Sequence, residues 1–294
     1  MSEKISLVIV PVDGSPAAGA AARHAGLLAQ TLHARLQLVH VMPPIPAELS
    51  DLPANRKPEN DPDRADQLRA AEQAFEKARA AIDQGPEAEC VTLEADDESL
   101  VHRPARVVVD HVRRQSDCLL VLGARHLSDL LKLVEGSVSN QILHRVQCPV
   151  TVVHDDAVNE GSAALRRILL PVDGSGHSRA AAALAGDMAR NVDVPVELIF
   201  CQPVGGVDPG DDKPEAIFAA AREALGEVPA GIEETLLSHA RPAEAIVRQA
   251  TARADQSPTI VMGRHGRGTL TEALLGSVSH RVVETAPCPV TVVI

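Results

Sequence analysis

The sequence predicts an α/β protein made of two homologous doubly wound domains, each with a five-stranded parallel sheet flanked by helices. Three observations carry this expectation. The chain has 294 residues, the length of about two domains at roughly 150 residues each. It repeats itself: "VPVDGS" (Val10 to Ser15) returns as "LPVDGS" (Leu170 to Ser175), and "GSVSNQILHRVQCPVTVV" (Gly136 to Val153) returns as "GSVSHRVVETAPCPVTVV" (Gly276 to Val293). Within each repeat, short β-branched runs alternate with helical patterns, as parallel strands joined by crossover helices require. The repeats divide the chain into residues 1–154 and 166–294.

In chain order, "SLVIVPV", "RLQLVHV", "CVTLEA", "CLLVLG" and "CPVTVV" are short apolar runs bounded by turn residues, and read as buried strands. Between the first two, "SPAAGAAARHAGLLAQTL" has the pattern of a helix. Next, "DQLRAAEQAFEKARAAI" places Leu68, Ala71, Phe75, Ala78 and Ile82 on one stripe of an amphipathic helix. "RPARVVVDHVRR" and "SVSNQILHRV" supply the remaining helices. The Pro- and acid-rich stretch "PPIPAELSDLPANRKPENDPDRAD" has no apolar period and reads as a long mobile loop; the second repeat has only "QPVGGVDPGDDKP" in its place. "HDDAVNEGSAALRR" reads as the linker between the halves.

Composition narrows the function. With three Phe and no Trp or Tyr, the cores must be built from Val, Leu, Ile and Ala. A formal net charge of −12 repels polyanions, and three Phe with no Trp or Tyr leave almost no aromatic surface to stack bases, so nucleic acid is not an expected partner. Five scattered cysteines without a C-x-x-C pair suggest neither a disulfide framework nor zinc, and fit a reducing cytoplasm. The first apolar run is broken by Pro11 too early for a signal peptide, and no run is long enough to span a membrane. The expected protein is soluble and cytoplasmic, with no membrane partner. No H-E-x-x-H is present, and the acidic runs "EADDE" and "DPGDD" lack the offsets of a calcium loop, so no metal site is expected. No nucleophile sits beside a base in the motif regions, so no catalytic residue is assigned.

The most informative stretch is "GRHGRGTLTEALLGS" (Gly263 to Ser277), which leaves the end of the strand "TIVMG" at the carboxyl edge of the sheet, where doubly wound folds hold ligands. Glycines at 263, 266 and 268 allow positive φ and close backbone approach to an anion. Gly276 and Ser277 open the next helix, where unpaired N–H groups and the helix dipole favour phosphate, and Ser277 or Ser279 can add a hydroxyl. The same residues also fit a tight turn with a capped helix, and composition alone leaves both readings open. Gly263 to Thr269 lacks the lysine of a Walker loop, and "GHSRA" lacks the last glycine of a nucleophile elbow, so neither mechanism is supported.

The pattern G-2x-G-9x-G-S at Gly263, Gly266, Gly276 and Ser277, with "PVDGS" on the first strand and a terminal "CPVTVV", resembles the universal stress protein family in its tandem two-domain form. The resemblance covers nearly all of the chain. It implies a five-stranded parallel α/β domain and, for the branch with this glycine motif, ATP or a related adenine nucleotide, ADP or AMP, accompanied by Mg2+ where phosphates are bound. It places Asp173 facing the nucleoside, the backbone of Val172 and Cys201 near the adenine, and Gly263 by the ribose. Gly266, Gly276, Ser277 and Ser279 would hold phosphates, with His265, Arg264 and Arg267 as candidate charge partners. For Asp173 the alternative is a turn or helix cap.

The copy "GARHLSDLLKLVEGS" (Gly123 to Ser137) departs from the motif by setting His126 opposite Gly266. A Cβ and a ring there should shrink the pocket. The first-half site, with Asp13, Val41, Gly123, Gly136 and Ser137, is therefore expected to be weakened, altered in ligand or empty, unless His126 itself donates to a phosphate. The resemblance also implies a role for the last strands, which pair across a dimer axis in single-domain relatives. Here Cys148 to Val153 and Cys288 to Val293 could pair within one molecule, or could leave an edge for a homodimer. Three functions follow as alternatives: a nucleotide-responsive binding module of the stress response, a slow ATPase or adenylate-transferring enzyme using the same pocket, or a scaffold that binds no nucleotide.

Overall fold

The computed structural model describes residues 4–42, 62–94, 104–124, 138–154, 164–202, 213–266 and 275–294. His126, Gly136, Ser137, Arg267 and Gly268 lie outside these residues, as does most of the proline-rich loop.

The first half runs β1 (Leu7–Pro11), α1 (Pro16–Leu32), β2 (Arg35–Met42), α2 (Pro62–Ala81), β3 (Ala88–Glu94), α3 (Pro104–Arg113), β4 (Cys118–Ala124), α4 (Val138–Leu143) and β5 (Val150–His154). The second repeats it as β6 (Arg167–Pro171), α5 (Gly176–Val192), β7 (Val196–Gln202), α6 (Pro214–Leu225), β8 (Ile232–Ser238), α7 (Pro242–Ala252), β9 (Pro258–Gly263), α8 (Ser277–Thr285) and β10 (Val290–Val293). The two orders are β3-β2-β1-β4-β5 and β8-β7-β6-β9-β10, parallel throughout each half. Winding therefore reverses between β1 and β4, and again between β6 and β9, so each half has its crevice there.

The halves join into one ten-stranded sheet, because β5 and β10 pair antiparallel with Thr151 opposite Thr291. The two hydroxyls, both buried, share a 2.8 Å hydrogen bond at the centre of this seam. Two hydrophobic clusters cover the two faces, and each extends across both halves. With the last strands consumed inside the chain, β3 and β8 are the sheet's outer edges.

Local chemistry explains the helix starts. Ser15 and Ser175 cap α1 and α5, their Oγ atoms accepting from Ala18 N at 3.2 Å and Ser178 N at 3.1 Å. Three expectations need correction. The end of the supposed loop is helical, since α2 begins at Pro62; residues 65, 66 and 68–70 are exposed, so this part of the helix shows no apolar period. For the same reason Leu68, assigned to the buried stripe, is exposed. The supposed linker also contributes to both halves, because His154 ends β5 while Leu165 is buried just before β6, which Arg167 opens.

Candidate functional site

The second-half site forms where β6 and β9 diverge. The segment after β6 turns at Gly174, whose φ of +78° is the left-handed conformation that favours glycine. Within that turn Asp173 Oδ1 accepts from Ser175 N at 2.9 Å, so the carboxylate does stabilise the turn while Ser175 takes the role of helix cap. The other oxygen faces the glycine loop: a Cβ on Gly266 would stand 2.6 Å from Asp173 Oδ2. Asp173 thus braces its own turn and meets the loop at once.

The loop glycines act by closeness and not by unusual dihedrals. Neither Gly263 nor Gly266 has positive φ, contrary to expectation. A Cβ on Gly263 would lie 2.7 Å from the His177 backbone, where α5 crosses the end of β9, and only a missing side chain permits that approach. Gly276 is the N-cap of α8 and offers no side chain to its N–H groups, so Ser277 is the first helical residue and not the cap. Ser277 is exposed at the opening of this nine-residue helix, where backbone donors and the dipole favour an anion.

Other candidates fall elsewhere. Ser279 is buried, and its hydroxyl donates to Arg264 O at 2.7 Å and is 3.0 Å from Gly276 O. That hydroxyl ties the helix start to the loop instead of facing outward. His265 is buried with its ring 5.3 Å from that of His177, and its carbonyl accepts from Ser175 Oγ at 3.3 Å. Arg264, expected beside phosphate, points the other way. Its guanidinium donates to three first-half carbonyls, Val146 O at 2.9 Å, His144 O at 3.2 Å and Leu143 O at 3.4 Å, at the end of α4. Burial lowers its pKa, and the carbonyl end of a helix offsets the cost of a cation there.

Across the crevice, Val172 N–H is committed to Ile199 O at 2.8 Å, and Cys201 is half-buried on the neighbouring strand. The first half is built alike, with Asp13 Oδ1 accepting from Ser15 N at 2.9 Å and Val12 N–H donating to Val39 O at 2.8 Å. Gly123 lies one residue before the end of β4, against Ala17, and Val41 lies near the end of β2. One residue there escaped the sequence reading. His40 Nδ1 donates to Val12 O at 2.7 Å, whereas the corresponding second-half residue, Phe200, has no ring donor and packs edge-on to Phe218. The two halves therefore differ at the end of this strand as well as in the sequence of the glycine motif. The signal was present in the sequence as His40 against Phe200, one residue before Val41 and Cys201.

Among the described residues, no group of three or more His, Cys, Asp or Glu converges as a metal site, and no helix is long and apolar enough to cross a membrane. The fold defines a tandem doubly wound α/β protein with paired crevices at its switch points, the second bordered by Gly263, Gly266 and Gly276. The model of the universal stress protein family matches residues 5–154 and again residues 164–293. The chain belongs to the universal stress protein family. Curated relatives include a universal stress protein of Mycolicibacterium smegmatis, 33% identical over 97% of this chain and 96% of its own. One of Mycobacterium tuberculosis is 31% identical over 97% of this chain and 95% of its own. Among solved structures, a universal stress protein of Archaeoglobus fulgidus superposes with a TM-score of 0.68 at 21% identity, covering 98% of this chain and 97% of that one.

Proposed function

We propose that the second half binds an adenine nucleotide, ATP, ADP or AMP, and that the protein acts in the stress response as a ligand-responsive binding module. The observation that carries this is the pairing of Gly266, stripped of a Cβ against Asp173, with the side-chain-free N-cap of α8 at Gly276, both at the β6/β9 switch point. The base would lie toward Val172 and Cys201 and the ribose by Gly263. Phosphates would take the N–H of Ser277 at the opening of α8, with Gly266 leaving the room, because the Gly276 N–H is committed to Arg264 O at 3.0 Å; any Mg2+ would be held mainly by those phosphates. Backbone donors of this kind bind and orient. The described site residues include no base paired with a nucleophile, which favours binding over turnover.

The first half would bind weakly or take a different ligand, since His40 occupies the Val12 carbonyl in addition to the substitution at His126. Calorimetric titration of the purified protein with ATP, ADP and AMP tests the proposal. The expected result is one site per chain that is lost in Gly266→His and retained in His126→Gly. No heat with any of the three, together with no co-purifying nucleotide, would overturn it.

A further inference from the structure

Arg264 lies inside the glycine motif yet bonds in three directions. Its N–H donates to Val293 O at 2.7 Å, on the strand that forms the seam. Its carbonyl accepts from Gly276 N at 3.0 Å and from Ser279 Oγ at 2.7 Å, so it sets where α8 begins. Its guanidinium holds the end of α4 in the other half. Gly263 and Gly266 stand on either side of it, so a ligand closing on Gly266 and Gly276 acts on backbone that Arg264 fastens to the first half.

The repeat supplies an internal comparison. The first-half counterpart of Arg264 is Ala124, which has no polar side chain. The reciprocal grip comes instead from His154 at the end of β5, whose Nε2 donates to Val283 O at 2.8 Å near the end of α8. Each half thus holds the other's final helix, but only one of the two grips is built into a ligand loop.

We propose that Arg264 is a positioning residue that couples ligand binding in the second half to the docking of the first. This rests on the nucleotide reading above. A ligand that closes on Gly266 and the start of α8 tightens the hold on α4, and by reciprocity a well-docked first half raises affinity for the ligand. The first half then serves as a regulatory partner for the intact site.

Amide hydrogen exchange on the wild-type protein, with and without saturating AMP or ATP, tests this directly. Exchange over residues 143–147 should slow by about tenfold when nucleotide binds. Arg264→Ala should weaken nucleotide binding about tenfold and remove that protection, with Arg264→Lys intermediate because the single ammonium nitrogen lacks the planar fork whose two separate nitrogens reach these carbonyls. His154→Ala also removes a seam hydrogen bond, so a merely structural effect would appear there too. It should instead keep affinity within about twofold and preserve the protection. Nucleotide binding by the wild type with no change over 143–147, or equal losses in Arg264→Ala and His154→Ala, overturns the coupling alone. No binding by the wild type overturns the nucleotide reading and the coupling with it.

Discussion

Gly266 and Asp173 approach so closely that the smallest side chain cannot be added between them, with 2.6 Å separating the position of a Cβ from Oδ2. Asp173 is not free to swing aside, because its Oδ1 holds Ser175 N–H at 2.9 Å. Gly266→Ala is therefore expected to cost about 1–3 kcal/mol of stability through overpacking, measured by urea unfolding. In the double variant with Asp173→Ala the crowding is relieved, so the costs should be less than additive. Strict additivity would mean the two residues do not meet.

His24 is buried in α1, its Nε2 has no hydrogen-bond partner, and burial lowers its pKa to about 4. The folded state thus binds the proton less readily than the unfolded chain. Its contribution favours folding fully above the ordinary pKa of about 6.5, declines as pH falls toward 4, and is flat below, a total of about 3 kcal/mol. The second half carries Leu184 at this place. His24→Leu should flatten the stability profile between pH 7 and pH 4 relative to wild type, and parallel profiles would show that His24 does not report burial.

Glu197 is wholly buried on β7 and is met by Thr235 at 2.7 Å, Gln249 at 2.5 Å, Arg253 at 3.0 Å and Arg167 at 3.5 Å. Arg167 also forks onto Glu233 at 2.8 and 3.0 Å, which holds the Glu233 carboxyl below its ordinary pKa. At the matching register position the first half uses neutral Gln37, partnered by Glu89 and His111. Glu197→Ala should cost about 3–5 kcal/mol, because two arginines lose a buried counter-charge. Glu197→Gln, imitating the first half, should cost clearly less in the same unfolding assay.

The cysteines should divide by burial. Cys118, Cys148 and Cys288 are buried; burial pushes the Cys288 thiol up to about 12, and a hydrogen bond to Cys118 pushes that of Cys148 upward. Cys90 and Cys201 are half-buried, with more modestly raised values caused first by burial. A thiol reagent at pH 8 should modify Cys90 and Cys201 in the native protein and the other three only after unfolding. Saturating nucleotide should slow modification of Cys201 and leave Cys90 unchanged, read by peptide mass.

The strands, the helices and the repeat were legible because periodicity and turn residues are local signals, as in "PVDGS" and "CPVTVV". The glycine motif was legible as a pattern, but its cause was not. Gly266 is required by the carboxylate of Asp173 and Gly263 by the backbone of α5, contacts made only after folding. Arg264 misled for a related reason: its partners are main-chain carbonyls in the other half, and no side-chain identity in the sequence advertises a carbonyl.

The sequence by itself determined the class of fold, the duplication and the place of the unequal glycine loops, since each depends on residue type and spacing along the chain. The tertiary structure decided that two sheets become one through Thr151 and Thr291. It also decided that Ser279 turns inward and that Arg264 belongs to the seam between the halves. Those outcomes depend on which backbone donors and acceptors are left over once each half has folded. Burial then obliges those leftover groups to find one another.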